Sequence, residues 1–257
     1  MEDEGAMMGT VRAYVGSCVF FLFLMVGIVF FTVWIAGVRP FSTLGHRREI
    51  ARTWAAYNRR MLSVTCGLSD CVAGVEHLPP PPYLLFAKHQ SAWETLTLHA
   101  LFPVFVLVLK KSLLNIPFFG WSLRATEQIA IDRDLGVQSM HILRDRGMEE
   151  FGRGVSVLVF PEGTRMAPGE VGKYNGGGIA LAIEAGVPIV PLAHNAGVFW
   201  GRRAFVKRAG VIQVRIGRAI ATRGCDKKDR KRLLEQAKGC VEEMMAAMRG
   251  SEGDSPM

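Results

Sequence analysis

From Ala13 to Val38 the chain carries no charged side chain. As a helix rising about 1.5 Å per residue, this stretch is long enough to cross the roughly 30 Å hydrocarbon layer of a bilayer. Its apolar residues, among them Phe20, Phe21, Leu22, Phe23, Leu24, Val29, Phe30 and Phe31, run all round the helix rather than along one stripe. Tyr14 and Trp34 stand near its ends, where interfacial aromatics belong. A cleaved leader fits poorly. The run exceeds the usual apolar length of about 7–15 residues, and Glu2-Asp3-Glu4 is acidic where a basic region is expected. The stretch therefore directs the chain to a membrane, either as a span or as two interfacial helices folded back around Gly27. Arg39, Arg47, Arg48, Arg52 and Arg59 follow it and only Arg12 precedes it, a bias that places the remainder in the cytoplasm.

That remainder is large enough for a real core, the whole chain having 257 residues and 49% hydrophobic content. A net charge of +8 favours an anionic partner: nucleic acid, anionic lipid or a phosphorylated substrate. The absence of a basic-aromatic module weighs against nucleic acid. Five scattered cysteines without a C-x-x-C pair argue against a disulfide framework and a zinc site, and fit a reducing compartment.

Residues 39–67 read as a basic helical link, with Trp54, Tyr57, Met61 and Leu62 recurring at helical spacing between arginines. Such a helix lies on anionic headgroups or packs on the main domain. Pro79–Pro82 forms a stiff lead-in to the next element. Apolar runs at Tyr83–Ala87, Val104–Leu109, Gln128–Ile131, Val155–Phe160, Pro188–Leu192 and Val211–Ile216 read as strands. Between them Trp93–Phe102, Val137–Phe151 and Gly178–Ala185 read as helices, and residues 226–249 as a closing helix capped by Asp226 or Asp229. The alternation implies an α/β fold whose mixed, largely parallel sheet is flanked by helices, preceded by an N-terminal membrane-embedded helical segment. We divide the chain into an anchor and link (1–67), an α/β domain (68–225) and a C-terminal helix and tail (226–257).

Sites in such sheets form beyond the strand C-terminal ends. His89, Asp132-Arg133 and Glu162–Arg165 each follow an expected strand, so one crevice is expected to hold all three. His89 and Glu94 are five residues apart and would not meet on a single helix. They pair only if His89 stays in the loop and Glu94 opens the helix. Ser91-x-x-Glu94 is also a capping box with Ser91 as N-cap, so Glu94 is open to two readings: orienting a general base, or satisfying backbone donors. In Phe160-Pro161-Glu162-Gly163-Thr164-Arg165, Gly163 permits close backbone approach, Arg165 can fork onto a phosphate, and Glu162 can orient hydroxyls; the same run also suits a plain turn. Val187-Pro188-Ile189-Val190-Pro191 has no reactive group and offers only packing. No G-x-S-x-G elbow is present, no cysteine lies in these runs, and the histidines lack metal-ligand spacing.

These runs resemble the four ordered blocks of the glycerolipid acyltransferase family, specifically its bacterial 1-acylglycerol-3-phosphate acyltransferases: His89–Glu94, Gln128–Arg133, Phe160–Arg165 and Val187–Pro191. The resemblance covers roughly residues 70 to 220. Two departures stand out. The acid of the first block is usually aspartate and here is Glu94. The second block often begins with glycine and carries phenylalanine before the isoleucine, where this chain has Ala130 before Ile131; its arginine, Arg133, is kept. The resemblance implies direct acyl transfer, without metal or other cofactor. The acyl chain passes from acyl-CoA or acyl-acyl carrier protein to the free hydroxyl of lysophosphatidic acid, at the bacterial inner membrane with the catalytic domain facing the cytoplasm. His89 would then be the base and Glu94 its partner. Arg133 and Arg165 would hold the acceptor phosphate, with Glu162, Gly163 and Thr164 shaping the acceptor subsite. Rival readings are another acceptor, such as a lyso-ornithine lipid or a different lysophospholipid, and a non-catalytic binder of anionic lipid.

Overall fold

The computed structural model describes residues 2–132 and 135–252. Its strands are β1 (Leu68–Ala73), β2 (Leu84–Ala87), β3 (Phe105–Lys110), β4 (Ile129–Ile131), β5 (Ser156–Val159), β6 (Ile189–His194) and β7 (Gly210–Ile216). Its helices are α1 (Glu2–Val38), α2 (Leu44–Cys66), α3 (Trp93–Leu101), α4 (Phe119–Ala125), α5 (Val137–Gly152), α6 (Gly177–Ala185), α7 (Ala196–Phe199) and α8 (Arg230–Glu252). The strands join in one sheet of order β1-β7-β6-β2-β5-β3-β4, parallel throughout except where β7 runs antiparallel to β6. The expected α/β class and mixed, largely parallel sheet are therefore present.

Strand alternation divides the core between the two faces of the sheet. Leu85, Leu107, Leu158 and Val190 point to one side, where they meet Phe20, Leu62 and Trp93 from α1, α2 and α3. Leu84, Phe86, Val106 and Val157 point to the other, against Leu143 of α5, Ile179 of α6 and Ala237, Val241 and Met245 of α8. Both faces are covered, which is why the central strands read as continuous apolar runs. The α8 face seen in the sequence thus packs into the core. The helix starts at Arg230, after Asp229, whose carboxylate accepts the Asp226 amide at 3.1 Å.

The N-terminal stretch is one unbroken helix, and the chain folds back not at Gly27 but at a single 3₁₀ turn, Arg39–Phe41. Helix α2 then returns along α1. Gly16 and Gly27 permit the approach. A Cβ at Gly16 would lie 2.2 Å from the Thr65 carbonyl oxygen, and one at Gly27 would lie 2.7 Å from the Tyr57 ring. The other side of α2 packs on the domain. Arg48 makes a buried two-pronged pair with Glu150 of α5 (2.7 and 2.9 Å), Arg47 donates to the Ala125 carbonyl, and Arg52 to that of His99. Of the two placements open for the basic link, these arginines take the one against protein.

Helix α1 carries apolar residues on both its packed and its exposed sides. Phe20, Phe31 and Ile35 are buried against the protein, while Val11, Val15, Val19, Leu22, Val26, Phe30 and Val33 form an exposed apolar stripe at helical spacing. It is long and apolar enough to cross a membrane, and its character suggests membrane association.

Candidate active site

In the sheet β6, β2 and β5 lie side by side, so the loops leaving their C-terminal ends converge. The first loop holds Lys88, His89, Gln90 and Ser91 ahead of α3. His89 Nδ1 lies 2.8 Å from Glu94 Oε1, and the amides of Gln90 and Ser91 donate to that same oxygen at 2.8 Å each. The two readings of Glu94 are therefore both met by one carboxylate. The cap itself is displaced by a residue. Ala92 is the N-cap, and Ser91 Oγ accepts the Trp93 amide at 3.1 Å. Glu94 is buried, which opposes its ionisation. The charge of His194, the bond from His89 and the Ser91 amide outweigh burial and hold its carboxyl below the usual carboxylate range. An ionised Glu94 fixes His89 with its proton on Nδ1 and leaves Nε2 for a substrate proton.

The second loop clamps the first. His89's amide donates to Glu162 Oε2 at 2.9 Å and its carbonyl accepts the Met166 amide at 2.8 Å. The imidazole stacks on Phe160 with centroids 4.1 Å apart and planes 14° apart. Gly163 takes φ of 70°, in the left-handed region that turns the loop under the histidine and favours glycine. Third, at the end of β6, His194 donates Nε2–H to the Lys88 carbonyl at 2.9 Å and accepts the Ala196 amide on Nδ1. Burial lowers its pKa, while the carboxylate of Glu94, with Oε2 3.9 Å away, pulls the other way.

A cavity of about 780 Å³ opens beside His89. Its apolar wall comes from α1, α2, β3 and α4 (Leu24, Ile28, Phe31, Trp54, Leu107, Phe119), and its polar lining includes His89, Gly163, Thr164 and Arg165. His99 also faces it, stacked on Phe105 at 4.0 Å. Burial, with the charges of Arg52 and Arg48 adding, lowers its pKa to about 4. The site therefore joins a histidine–carboxylate pair to a chamber sized for a lipid chain.

The acyltransferase family model matches residues 71–195, which hold the first, third and fourth motif runs whole and the second throughout its length. Over 212 residues the chain is 39% identical to the 1-acyl-sn-glycerol-3-phosphate acyltransferase of Pseudomonas aeruginosa, covering 82% of each chain. The chain belongs to this acyltransferase family. A Saccharomyces cerevisiae 1-acyl-sn-glycerol-3-phosphate acyltransferase is 31% identical over 172 residues, 65% of this chain and 56% of its own. Among solved structures, the 1-acyl-sn-glycerophosphate acyltransferase of Thermotoga maritima shares the fold, with a TM-score of 0.74 and 21% identity over 92% of this chain and 98% of that one.

Within this acyltransferase, His89, Gly163, Thr164 and Arg165 line one cavity, with Glu94 bonded to His89 behind it, and two other expected residues differ. Arg133 lies outside the described residues. Glu162, expected to face substrate, does not line the cavity. Its carboxylate is buried under the His89 amide, with Oε1 at 2.7 Å from Lys88 Nζ in an ion pair whose angle falls short of a hydrogen bond. Lys88, itself buried, also reaches Glu242 of α8 at 2.9 Å, and Tyr174 donates to that glutamate at 2.7 Å. Sequence reasoning missed this Lys88–Glu162–Glu242 network. Lys88 carried a usable signal, a charge directly after a wholly apolar strand. Glu242 carried none, because only the packing of α8 on the sheet brings it near.

Proposed function

We propose that this chain transfers an acyl group from an acyl thioester to the sn-2 hydroxyl of 1-acyl-sn-glycerol 3-phosphate, giving phosphatidic acid. The observation that carries this reading is His89, oriented by Glu94, at the polar edge of an apolar chamber lined by Arg165. The hydroxyl gives its proton to His89 Nε2 as its oxygen attacks the thioester carbonyl. Glu94 stabilises the imidazolium that forms. Collapse of the tetrahedral adduct expels the thiolate, which takes the proton back from His89. Arg165 holds the acceptor phosphate as an anion, with Gly163 and Thr164 beside it and Arg133 assigned the same task from the second block. Glu162 serves by fixing the His89 backbone. The pocket wall between α1 and β3 takes an acyl chain.

Residues 1–67 supply membrane contact and 68–225 the chemistry, while in the C-terminal segment (226–257) helix α8 covers the far face of the sheet. The donor is acyl-CoA or acyl-acyl carrier protein. The working site is the bacterial inner membrane, entered from the cytoplasmic side, as the arginine bias favours. Helix α1 touches the domain from Ser17, which accepts the Lys207 amide at 2.8 Å, to the buried Ile35. That is about 27 Å of helix. A spanning α1 would draw those loops into hydrocarbon with their backbone groups unsatisfied. We therefore place α1 in one leaflet, its exposed stripe in lipid.

Acyl transfer by detergent-solubilised protein tests the reading. The acceptors are 1-acylglycerol 3-phosphate, glycerol 3-phosphate and a phosphate-free lysolipid, each with acyl-CoA and acyl-carrier-protein donors. Phosphatidic acid formed from the first acceptor alone is the expected result. Turnover of a different acceptor alone would replace the substrate.

A further inference from the structure

We propose that Arg202 and Arg203, on the turn between α7 and β7, form a phosphate-binding subsite at the mouth of the cavity, alongside Arg165. This rests on the acyl-transfer reading above. Neither arginine belongs to any of the motif runs, yet both line the same cavity as His89 and Arg165. Arg202 Nη1 donates to the Arg165 carbonyl at 3.3 Å, which ties the two loops together. No aspartate or glutamate is among the described residues lining the cavity, and none of the three guanidiniums has a carboxylate within salt-bridge distance there. Three like charges gathered at one opening, with no carboxylate beside them among the described residues, suit an anion, and guanidiniums fork onto phosphate oxygens.

The turn is held in place rather than loose. Trp200 Nε1 donates to the Ala204 carbonyl at 2.9 Å, and the Ala204 amide to the Gly201 carbonyl at 3.1 Å. Lys207 Nζ lies over the rings of Trp200 and Phe205, 4.7 Å from each centroid. Arg203 itself takes φ of 60°, a conformation that costs energy for a residue with a Cβ and recurs where a ligand is gripped. The same turn touches the lipid-facing helix, since Phe205 packs on Tyr14 and Phe21. The arginines thus stand on the turn that packs against α1, beside the cavity. The ligand is a phosphate group, brought by the lysolipid acceptor or by the nucleotide part of an acyl-CoA donor.

The test compares wild type with the double variant Arg202→Ala/Arg203→Ala, with Arg203→Lys, and with Arg218→Ala as a charge control. Arg218 is exposed and follows β7 at the opposite end of the sheet. In uncharged detergent micelles the double variant should stay folded by circular dichroism and keep its kcat. Its KM for one substrate should rise about tenfold or more, the loss expected for hydrogen bonds to a charged group. Arg203→Lys should fall between. A rise for 1-acylglycerol 3-phosphate assigns the acceptor phosphate; a rise for acyl-CoA but not for acyl-pantetheine assigns the donor. Equilibrium binding of both ligands reads the subsite without turnover, so an inactive wild type would strike the reaction and not this proposal. Unchanged KM and binding for both substrates, or an equal loss in Arg218→Ala, would overturn it.

Discussion

Glu94 shows how one side chain can satisfy two demands that the sequence set against each other. Its Oε1 receives the amides of Gln90 and Ser91 as well as His89 Nδ1. Glutamine can accept those amides, so Glu94→Gln should leave the protein folded. Its neutral carbonyl cannot stabilise an imidazolium, so kcat should fall about 10²-fold or more, measured as initial rates beside circular dichroism. Full activity in that variant would reduce Glu94 to a cap. Acid stability belongs to the same scale. Burial lowers the pKa of His99 to about 4 and lowers that of His194 too, so below about 6.5 the unfolded chain takes up protons that the folded one refuses. Stability is then full above pH 6.5 and declines as pH falls towards 4. Glu94, held below its usual 4.5, extends the loss further down. Urea midpoints at pH 7.5 and 5 should differ in that direction, and His99→Gln should flatten the slope.

Secondary elements were legible wherever one neighbour decided their pattern. Six strands and helices α3, α5 and α6 stand within a residue or two of where the sequence pattern placed them, and the strands do so because burial on both faces leaves no other composition. Strand β1 was missed because it sits at the sheet edge and is only partly buried, and α4 because seven residues hold no periodicity to read. The motif loops told which residues carry chemistry, but not that Glu162 turns inward to Lys88 and the His89 amide. That contact depends on the side-by-side placement of β2 and β5, a property of sheet order. Nor could an all-round apolar helix reveal which half meets protein. The close face of α1 makes its own prediction: Gly16→Val should lower stability by about 1–3 kcal/mol through overpacking against the Thr65 carbonyl. Gly37→Val, with nothing within 4 Å of its Cβ position, should cost far less. Thermal midpoints in detergent compare the two, and equal losses would mean that α1 does not lie this close to α2.

At the scale of the whole molecule, the α1–α2 hairpin is both a wall of the cavity and the surface offered to lipid, so a chain partitioning between bilayer and site has a short apolar path. With α1 in one leaflet, as proposed above, Met8 lies on the same side of the membrane as the domain. In a variant with the native cysteines replaced, Met8→Cys in oriented vesicles should react with an impermeant thiol reagent only from the side that bears the domain. Labelling from the opposite side would mean that α1 spans. The role of His89 as the base of an acyl transfer in this cavity is tested by the kcat of His89→Ala on 1-acylglycerol 3-phosphate beside wild type, with both proteins shown to be folded. A loss of about 10²–10⁴-fold is predicted. A folded variant that turns over at the wild-type rate would contradict it.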